Sequence, residues 1–394
     1  MQKLNKPSSK QRGIALIIFA LMLVVAATTF FVSQLDGNDI KIERDKKTAT
    51  ALAMAKTALI GWAATRTSLT QLGQLPCPED TTLIGSPTTE GNAQAICALP
   101  ATGRLPWRSL GLGDLRDGNG DKLWYTISAG FRSNTINSDT PAQLTVDGVA
   151  GSAVAIIFSP GPPLGQVRPI PTNVSPPDVT QYLDLANNDG DNTFVTSGAA
   201  ISFNDRLLPI SHDEMFAVVE KRVANEVLKC LDVYATAPVA TPPPIPPVGA
   251  YPWPAKLDAA MPPAYVGTVN NFFGRMPDYP MGGNWSGACS IPVGGTGWWL
   301  NWKEMTFYAV ADGYKPTTSA ASCGACLTVS PPSAAADKRV VVFVAGQKVG
   351  LQVRSSNPNK GNLTNYLEAP NSTGGISFTK LNSTLIFNDV VVYR

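Results

Sequence analysis

The sequence predicts an α+β fold in which a long N-terminal helix precedes two tandem units, each a helix packed on an antiparallel sheet. Three observations support this prediction. An uncharged apolar run occupies residues 14–33, a helical apolar stripe continues beyond it, and short motifs recur in the same order in both halves of the chain. Strand-like segments after each predicted helix place the chain in the α+β class.

The first predicted element is a single membrane-spanning helix over residues 14–34. At about 1.5 Å per residue, a run of this length crosses a hydrocarbon core of about 30 Å. Basic residues and no acid precede it, so the N-terminus is expected in the cytoplasm and the rest of the chain outside. The run is longer than the apolar region of a secretory signal and ends without a good cleavage site. The alternatives are an uncleaved signal anchor and a removed signal peptide.

Gly13 ends the basic leader and directly precedes the apolar run. The stretch KQRGIALIIFALMLVV at 10–25 resembles the leader of type IV prepilins and type II secretion pseudopilins. The resemblance covers about residues 1–65. It implies that prepilin peptidase removes a leader peptide at 1–13 by cutting between Gly13 and Ile14. It also implies methylation of the new N-terminus and packing of the mature helix with those of other pilins or pseudopilins.

Ile18 stands at the fifth mature position, where this family usually carries a glutamate. That glutamate pairs with the free amine of a neighbouring subunit, and a buried carboxylate is costly unless it is paired. Its absence resembles the exception in the family, the large minor subunits such as the K-type pseudopilin, which are thought to sit at the fibre tip.

The stem helix is expected to continue past the apolar run. Asp36–Gly37–Asn38 would bend it, and a helical apolar face that includes Leu52, Ala55 and Leu59 follows. This stem would pack on the first α+β unit, so that stem and unit together span residues 35–209.

A tandem duplication is predicted because residues 144–209 match 327–394 in several motifs at similar spacing. The matched pairs are LTV at 144–146 and 327–329, AIIFSPG at 155–161 and VVVFVAG at 340–346, YLD at 182–184 and YLE at 366–368, and FND at 203–205 and 387–389. Ordered matches of this kind indicate repeated, pilin-like structural units.

The second unit, residues 210–394, begins with a helix at 211–235. Ser211 and Glu214 have the spacing of a capping box, and an apolar stripe runs from Phe216 to Tyr234. A proline-rich stretch at 236–254 then forms a stiff connector, and strands continue to the C-terminus.

Composition excludes some classes of function. The 394 residues carry a net charge of only +2, and 15% of them are charged. No basic stripe exists beyond the leader and a short run at 41–47, so nucleic-acid binding is not expected. Glycine and proline are abundant, yet aliphatic strands run throughout, which indicates a loop-rich folded chain.

All six cysteines follow the apolar run, and an oxidising exterior would pair them. Sequence alone leaves many connectivities open. The repeat favours a short local bridge, a bridge from the second helix, and a pair within the CGAC motif. These pairs are Cys77–Cys97, Cys230–Cys289 and Cys323–Cys326.

The CGAC motif also invites a redox or zinc interpretation. Zinc needs four ligands, and a thioredoxin-like site needs its first cysteine at a helix N-terminus. The sequence around the motif meets neither requirement, so a structural disulfide is expected instead. His212 is the only histidine, and it lies beside Ser211 and Asp213 in the first turn of the second helix. Neighbours in sequence do not form a catalytic triad, so we expect a surface residue near the helix cap.

Two acidic, glycine-containing loops carry alternating oxygen ligands that suit Ca²⁺. Neither fits the EF-hand pattern, and turns formed by Asp, Asn and Gly explain both loops as well. The resemblance adds support for calcium, because calcium stabilises some pseudopilins. The candidate ligands are Asp114, Asp117, Asn119, Asp121, Asn187, Asp189 and Asp191.

Four tryptophans, Trp285, Trp298, Trp299 and Trp302, lie close together in the second unit. If exposed, they would form a platform for a glycan or a partner. If buried, they belong to the core.

These signals predict a non-enzymatic, pilin-like structural protein, a minor or tip component of a type IV pilus or secretion pseudopilus. Its expected location is the bacterial inner membrane, single-pass with the C-terminus outside, and then the periplasmic or extracellular fibre. The expected partners are other pilins or pseudopilins, prepilin peptidase and the inner membrane. The alternative is a bitopic cell-envelope protein whose duplicated exterior binds a ligand or a glycan. No motif supports an exterior hydrolase.

Overall fold

The computed structural model describes most of the chain. The described residues are 10–199, 201–236, 248–258, 264–280, 285, 287–292, 294–317, 322–323, 326–384 and 386–394, without the side chains of 10–19 and 29–38. The α-helices are α1 Lys10–Ala64, α2 His212–Thr236, α3 Trp299–Trp302 and α4 Asn357–Lys360. Short 3₁₀ turns lie at Leu69–Gln71, Thr81–Leu83, Ala129–Arg132, Val179–Gln181, Leu185–Asn187, Asp312–Tyr314, Leu363–Asn365 and Asn371–Thr373.

The strands are short and fall into two similar sets. The first set is β1 Ala101–Arg104, β2 Trp124–Ile127, β3 Leu144–Val146, β4 Val149–Ala153, β5 Ala155–Ser159, β6 Thr193–Phe194 and β7 Arg206–Ile210. The second set is β8 Phe273–Arg275, β9 Thr306–Val310, β10 Leu327–Ser330, β11 Ser333–Lys338, β12 Val340–Val344, β13 Ser377–Thr379 and β14 Val390–Tyr393.

Each half contains a four-stranded antiparallel sheet with the same order of strands. The first sheet has the order β1-β2-β5-β7, and the second has β8-β9-β12-β14. In the central strands, Ile157 of β5 lies between Tyr125 and Leu208, and Val342 of β12 lies between Tyr308 and Val392. Both central strands are fully buried and accordingly apolar. In β5, Ile157 belongs to the core shared with α1, whereas Ile156 and Phe158 belong to a second cluster on the opposite face.

A three-stranded sheet accompanies each large sheet, again with one order. β3 pairs with β4 antiparallel and with β6 parallel, and β10 pairs with β11 antiparallel and with β13 parallel. The predicted architecture, with one antiparallel sheet in each of two units, is wrong on this point, because four small sheets form. Hydrophobic alternation predicts a strand but does not say which distant strand it joins, and both parallel pairings span long connections.

The two long helices pack on the sheets and on each other. α1 contacts β5 and β7, α2 contacts β12 and β14, and the two helices contact each other. The buried face of α1 includes Ala51, Ala55 and Leu59, and Val223 and Val227 follow the same spacing on α2. One hydrophobic core therefore runs through both halves of the molecule.

The predicted membrane-spanning segment at 14–34 is wrong. Among the residues that the structure describes, no helix is long and apolar enough to cross a membrane. The expected single-pass location in the bacterial inner membrane is wrong by the same finding.

Three disulfides tie the loops to this framework. They are Cys77–Cys97, Cys230–Cys289 and Cys323–Cys326, the pairs that the repeat favours. The second joins α2 to the loop before α3. Of the predicted connector at 236–254, residues 237–247 lie outside the described part of the chain.

Candidate functional site

The N-terminal part of α1 carries an exposed apolar surface, which we call the stem surface, formed by Leu21–Val25. Their exposed fractions range from 53% at Val25 to 66% at Met22. An α-helix turns once in 3.6 residues, so five consecutive residues cover its whole circumference. By contrast, α1 is buried in the core from Ala51 onward. The same helix therefore has one end packed in the core and one end whose apolar side chains are exposed.

The predicted processing site lies within α1, but the side chains at Gly13, Ile14 and Ile18 are outside the described ones. Cleavage between Gly13 and Ile14 stays a prediction. The helix is continuous through Asp36–Gly37–Asn38, where the sequence suggested a bend.

The first calcium candidate loop presses against α1. Asp117 is fully buried, and its carboxylate accepts hydrogen bonds from the backbone N–H groups of Asn119 and Asp121 and from the Ser159 hydroxyl. The backbone N–H of Gly118 donates to Thr48 Oγ1 on α1 at 2.9 Å. These contacts make the loop a turn that holds the stem helix.

Arginine side chains pair with the remaining acidic residues of that loop. Asp114 accepts two hydrogen bonds from Arg116, and Asp121 forms an ion pair with Arg168 at 2.6 Å. Burial raises the pKa of Asp121, and the Arg168 guanidinium opposes this shift.

The second calcium candidate loop is a series of side chain-to-backbone turns. Asp189 accepts from the N–H of Asp191, and Asp191 accepts from the N–H of Thr193. Asn187 points inward and donates to Asp205 Oδ2 at 3.0 Å. In the described part of the chain, no three histidine, cysteine or acidic side chains converge as a metal site.

The four tryptophans are buried, so they form no exposed platform. Trp299 is fully buried and donates its indole N–H to Asp278 at 2.7 Å, while Trp298 donates to the Ser290 carbonyl. Of the two interpretations, the core one therefore holds.

His212 is buried, contrary to the expected surface position. Its ring stacks on Phe216, with centroids 4.1 Å apart, because one helical turn places the two residues over each other. Nδ1 lies 3.5 Å from Asp213, and neither ring nitrogen makes a hydrogen bond within the described structure. Burial lowers the pKa of His212, and the neighbouring Asp213 opposes this shift.

Each half contains a buried polar network around one arginine, which we call the first and second clasp. The first clasp consists of Gln166, Arg168, Tyr182, Asp184, Asn187, Asn204 and Asp205. The second consists of Gln352, Arg354, Tyr366, Glu368, Asn371, Asn388 and Asp389.

The two clasps use the same bonds. Arg168 donates to the carbonyls of Gly161 and Tyr182, and Arg354 donates to those of Gly346 and Tyr366. Each arginine also lies over the ring of its tyrosine. Sequence reasoning missed the arginines, although QVR at 166–168 and at 352–354 repeats and would have pointed to them.

A cavity lies between each long helix and the end of its sheet. The first, of about 370 Å³, is lined on α1 by residues 40, 41, 44, 45 and 48. The second, of about 210 Å³, is lined on α2 by residues 212, 213, 216, 217 and 220, which have the same spacing. The corresponding residues Gly161 and Asn204, and Gly346 and Asn388, line the sheet sides. The duplication therefore extends to the cavities, but their chemistry differs, because Glu220 stands where the first helix has Thr48.

Compared with known proteins, the chain gives no match to a protein-family model, to a curated sequence or to a solved structure.

Proposed function

We propose that this protein is a non-enzymatic, pilin-like subunit of a filament, assembled through its N-terminal helix. The observation that supports this proposal best is the stem surface, Leu21–Val25, which is exposed on an α1 whose other end is buried in the core. Burial of a Leu, Val or Met side chain stabilises by about 1.5–3 kcal/mol relative to exposure. An apolar surface of this kind is typical of a binding site.

The exposure on all sides of the helix favours several partners over one. A dimer would cover a single stripe of α1, whereas a helix that is apolar all round is stable when neighbours surround it. Stems of sister subunits, packed side by side, would provide such neighbours. In such an assembly, the apolar side chains of neighbouring stem helices would pack against one another.

The leader and the missing glutamate give the proposal its finer form. Prepilin peptidase would cut between Gly13 and Ile14 and release the stem for assembly. With Ile18 in place of the usual glutamate, this subunit would make no carboxylate–amine pair with a neighbour. Together with a duplicated body, this favours a minor or terminal subunit over a bulk one.

The stem surface can be tested by substitution in the full-length chain. In Leu21→Glu/Val25→Glu, buried charges would oppose stem packing, so incorporation into filaments sheared from the producing cells should fall by about tenfold or more. The control is Val218→Glu, which changes an exposed valine on α2, outside the stem. Immunoblotting of the sheared fraction and mass spectrometry of the chain's N-terminus provide the measurement.

A chain that starts at Ile14 in the filament fraction, with incorporation lost in the stem variant and kept in the control, is the expected result. Normal incorporation of the stem variant would overturn assembly through this helix. A filament-borne chain that starts at Met1 would overturn the cleavage, and absence of the chain from every filament fraction would overturn the function.

A further inference from the structure

The cavity beside α2 is lined by buried groups that the proposed filament function does not use. Its floor includes Glu220, which is 3% exposed, and Asp389, which is also 3% exposed, together with His212 at 7%. Phe216 and Val391 provide apolar wall. Burial of an ionisable group is costly unless the group is paired or hydrogen-bonded.

Several of these groups have oxygen or nitrogen atoms without a hydrogen-bond partner in the described structure. They are Glu220 Oε1, Asp389 Oδ1, Asn388 Oδ1 and both ring nitrogens of His212. Most buried polar atoms in proteins are satisfied, so a group of unsatisfied atoms around one cavity indicates a missing partner. Carboxylate and amide oxygens accept hydrogen bonds, so the partner of the three oxygens must be a donor.

A primary ammonium group fits this requirement. It carries three N–H donors and no acceptor, and its positive charge suits carboxylate oxygens. We propose that the α2 cavity binds a protonated primary amine, with its ammonium group towards Glu220 and Asp389 and its alkyl chain against Phe216 and Val391. A volume of about 210 Å³ holds a short alkyl chain together with water.

Binding of this kind should release protons. Burial raises the pKa of Glu220 well above its usual range, and burial, followed by the neighbouring Glu368, does the same for Asp389. A cation that arrives beside these carboxyls lowers their pKa values. The charged and titratable groups around Glu220 come from α2, from the loop before β3 and from the second half; they are His212, Asp213, Lys221, Asp139, Arg354, Lys380 and Asp389.

The first cavity is a control within the molecule. At the position of Glu220 it has Thr48, whose hydroxyl already accepts a hydrogen bond from Gly118, and at the position of His212 it has Ile40. It therefore lacks a counterpart of the Glu220 carboxyl, and Asp205, the counterpart of Asp389, is not among the residues that line it, so we expect one amine site in the described part of the chain.

Calorimetric titration of the full chain tests the proposal with two probes, n-butylammonium and Nα-acetyl-lysine methylamide. Both carry the same ammonium group, and the comparison shows whether the site prefers a free amine or a lysine side chain of a partner. Titration in two buffers of different ionisation enthalpy gives the protons released. We expect one site per chain for at least one probe, with net proton release.

Two variants and a control locate the site. Glu220→Gln keeps the size of the carboxyl but cannot ionise, so affinity should fall by about tenfold or more and proton release should shrink. Ala217→Leu narrows the cavity without touching Glu220 and should weaken binding even if Glu220→Gln does not fold. Glu226→Gln, on the same helix outside the cavity, should bind as the original chain does.

Absence of saturable binding for both probes would overturn the proposal, because it would mean that water alone satisfies the cavity. Binding that survives both Glu220→Gln and Ala217→Leu, or that takes up protons, would overturn it as well. The stem surface is unchanged in these variants, so failure here leaves the filament proposal standing.

Discussion

The buried aspartates Asp205 and Asp389 are corresponding residues of the two clasps. Asp205 Oδ2 accepts hydrogen bonds from the N–H of Asp184 and from Asn187, and Asp389 Oδ2 accepts them from the N–H of Glu368 and from Asn371. Burial raises the pKa of both carboxyls. Both shifts have the same physical cause, because burial in an apolar surrounding disfavours the charged form of a carboxyl.

Asp205 should make folding stability depend on pH. Burial raises the pKa of Asp205 to about 7. Because its folded-state pKa lies above its unfolded value, the folded state binds more protons in between, so this contribution is complete below about pH 4 and is lost as the pH rises to about 7. Between pH 4 and 7, the free energy of unfolding should fall less in Asp205→Asn than in the original chain. The difference between the two chains should be at most about 4 kcal/mol. Urea unfolding at pH 4, 5.5 and 7 measures it.

The matched control is Asp189→Asn, which neutralises an exposed aspartate of the neighbouring loop. Its unfolding free energy should follow the original pH dependence. Equal slopes for Asp205→Asn and the original chain would show that Asp205 is ionised throughout the window.

Gly161 should be intolerant of a side chain for a reason beyond its backbone angle. It has φ of +59°, and a Cβ there would lie 2.7 Å from Asn204 Oδ1 in the first clasp. Gly190 has φ of +82° with open space around it. Gly190→Ala should therefore cost only the left-handed strain of about 1–2 kcal/mol, and Gly161→Ala about 1–3 kcal/mol more. Urea midpoints of the two variants make the comparison, and equal costs would contradict the close packing.

At the scale of elements, the N-terminus of α2 has the capping box that its sequence predicts. The N–H of Glu214 donates to Ser211 Oγ at 3.2 Å, and the N–H of Ser211 donates to Glu214 Oε2 at 2.9 Å. Glu214 also pairs with Lys56 of α1 at 2.6 Å. The cap therefore fixes both the start of α2 and its position against the stem helix.

Ser211→Ala should lower the unfolding free energy by about 1 kcal/mol, because one backbone N–H loses its acceptor. Ser356→Ala is the matched control, since Ser356 precedes α4 but makes no side-chain capping bond. Its effect should be small. A loss in Ser356→Ala as large as in Ser211→Ala would show that serine removal, and not the cap, is being measured.

Much of the element layout could be predicted from sequence, because local signals carry it. The helix expected at 211–235 is formed at His212–Thr236, and the matched motifs at 155–161 and 340–346 contain the corresponding strands β5 and β12. The hydrophobic periodicity of a segment and the capping of its helix depend only on residues close together in sequence. The parallel pairings of β6 and β13 depend on contacts between distant segments, and no local pattern in the sequence indicates them.

The site was less predictable than the elements. Glu220 lies one turn after Phe216 and one turn before Val223, within the apolar stripe of α2, so the helical period places it among buried positions. Only the fold shows the cavity beside it. The calcium candidates were grouped by spacing, whereas the fold turns their oxygens towards backbone N–H groups and arginines. His212 was expected at the surface because caps usually are exposed, and packing on Phe216 decides otherwise.

At the scale of the whole molecule, the two halves are joined through their interiors. Arg354 of the second clasp forms an ion pair with Asp139 of the first half at 3.0 Å, and Asn301 donates to the carbonyl of Asn134 at 2.6 Å. The core cluster is continuous through α1, α2 and both large sheets. A duplicated chain has therefore become one packing unit, in contrast to two independent domains on a linker.

Both halves should consequently unfold in one cooperative transition. Ile157→Ala in β5 and Val342→Ala in β12 each remove buried methyl groups from a central strand and should each cost about 2–4 kcal/mol. Because the core is shared, either substitution should lower the opening free energy of protected amides in both large sheets by the same amount. Hydrogen exchange followed by mass spectrometry measures this for peptides from β5 and β12. If Ile157→Ala loosened only the first sheet, and Val342→Ala only the second, each half would be stable by itself, and the contacts of Arg354 and Asn301 across the halves would contribute little to folding.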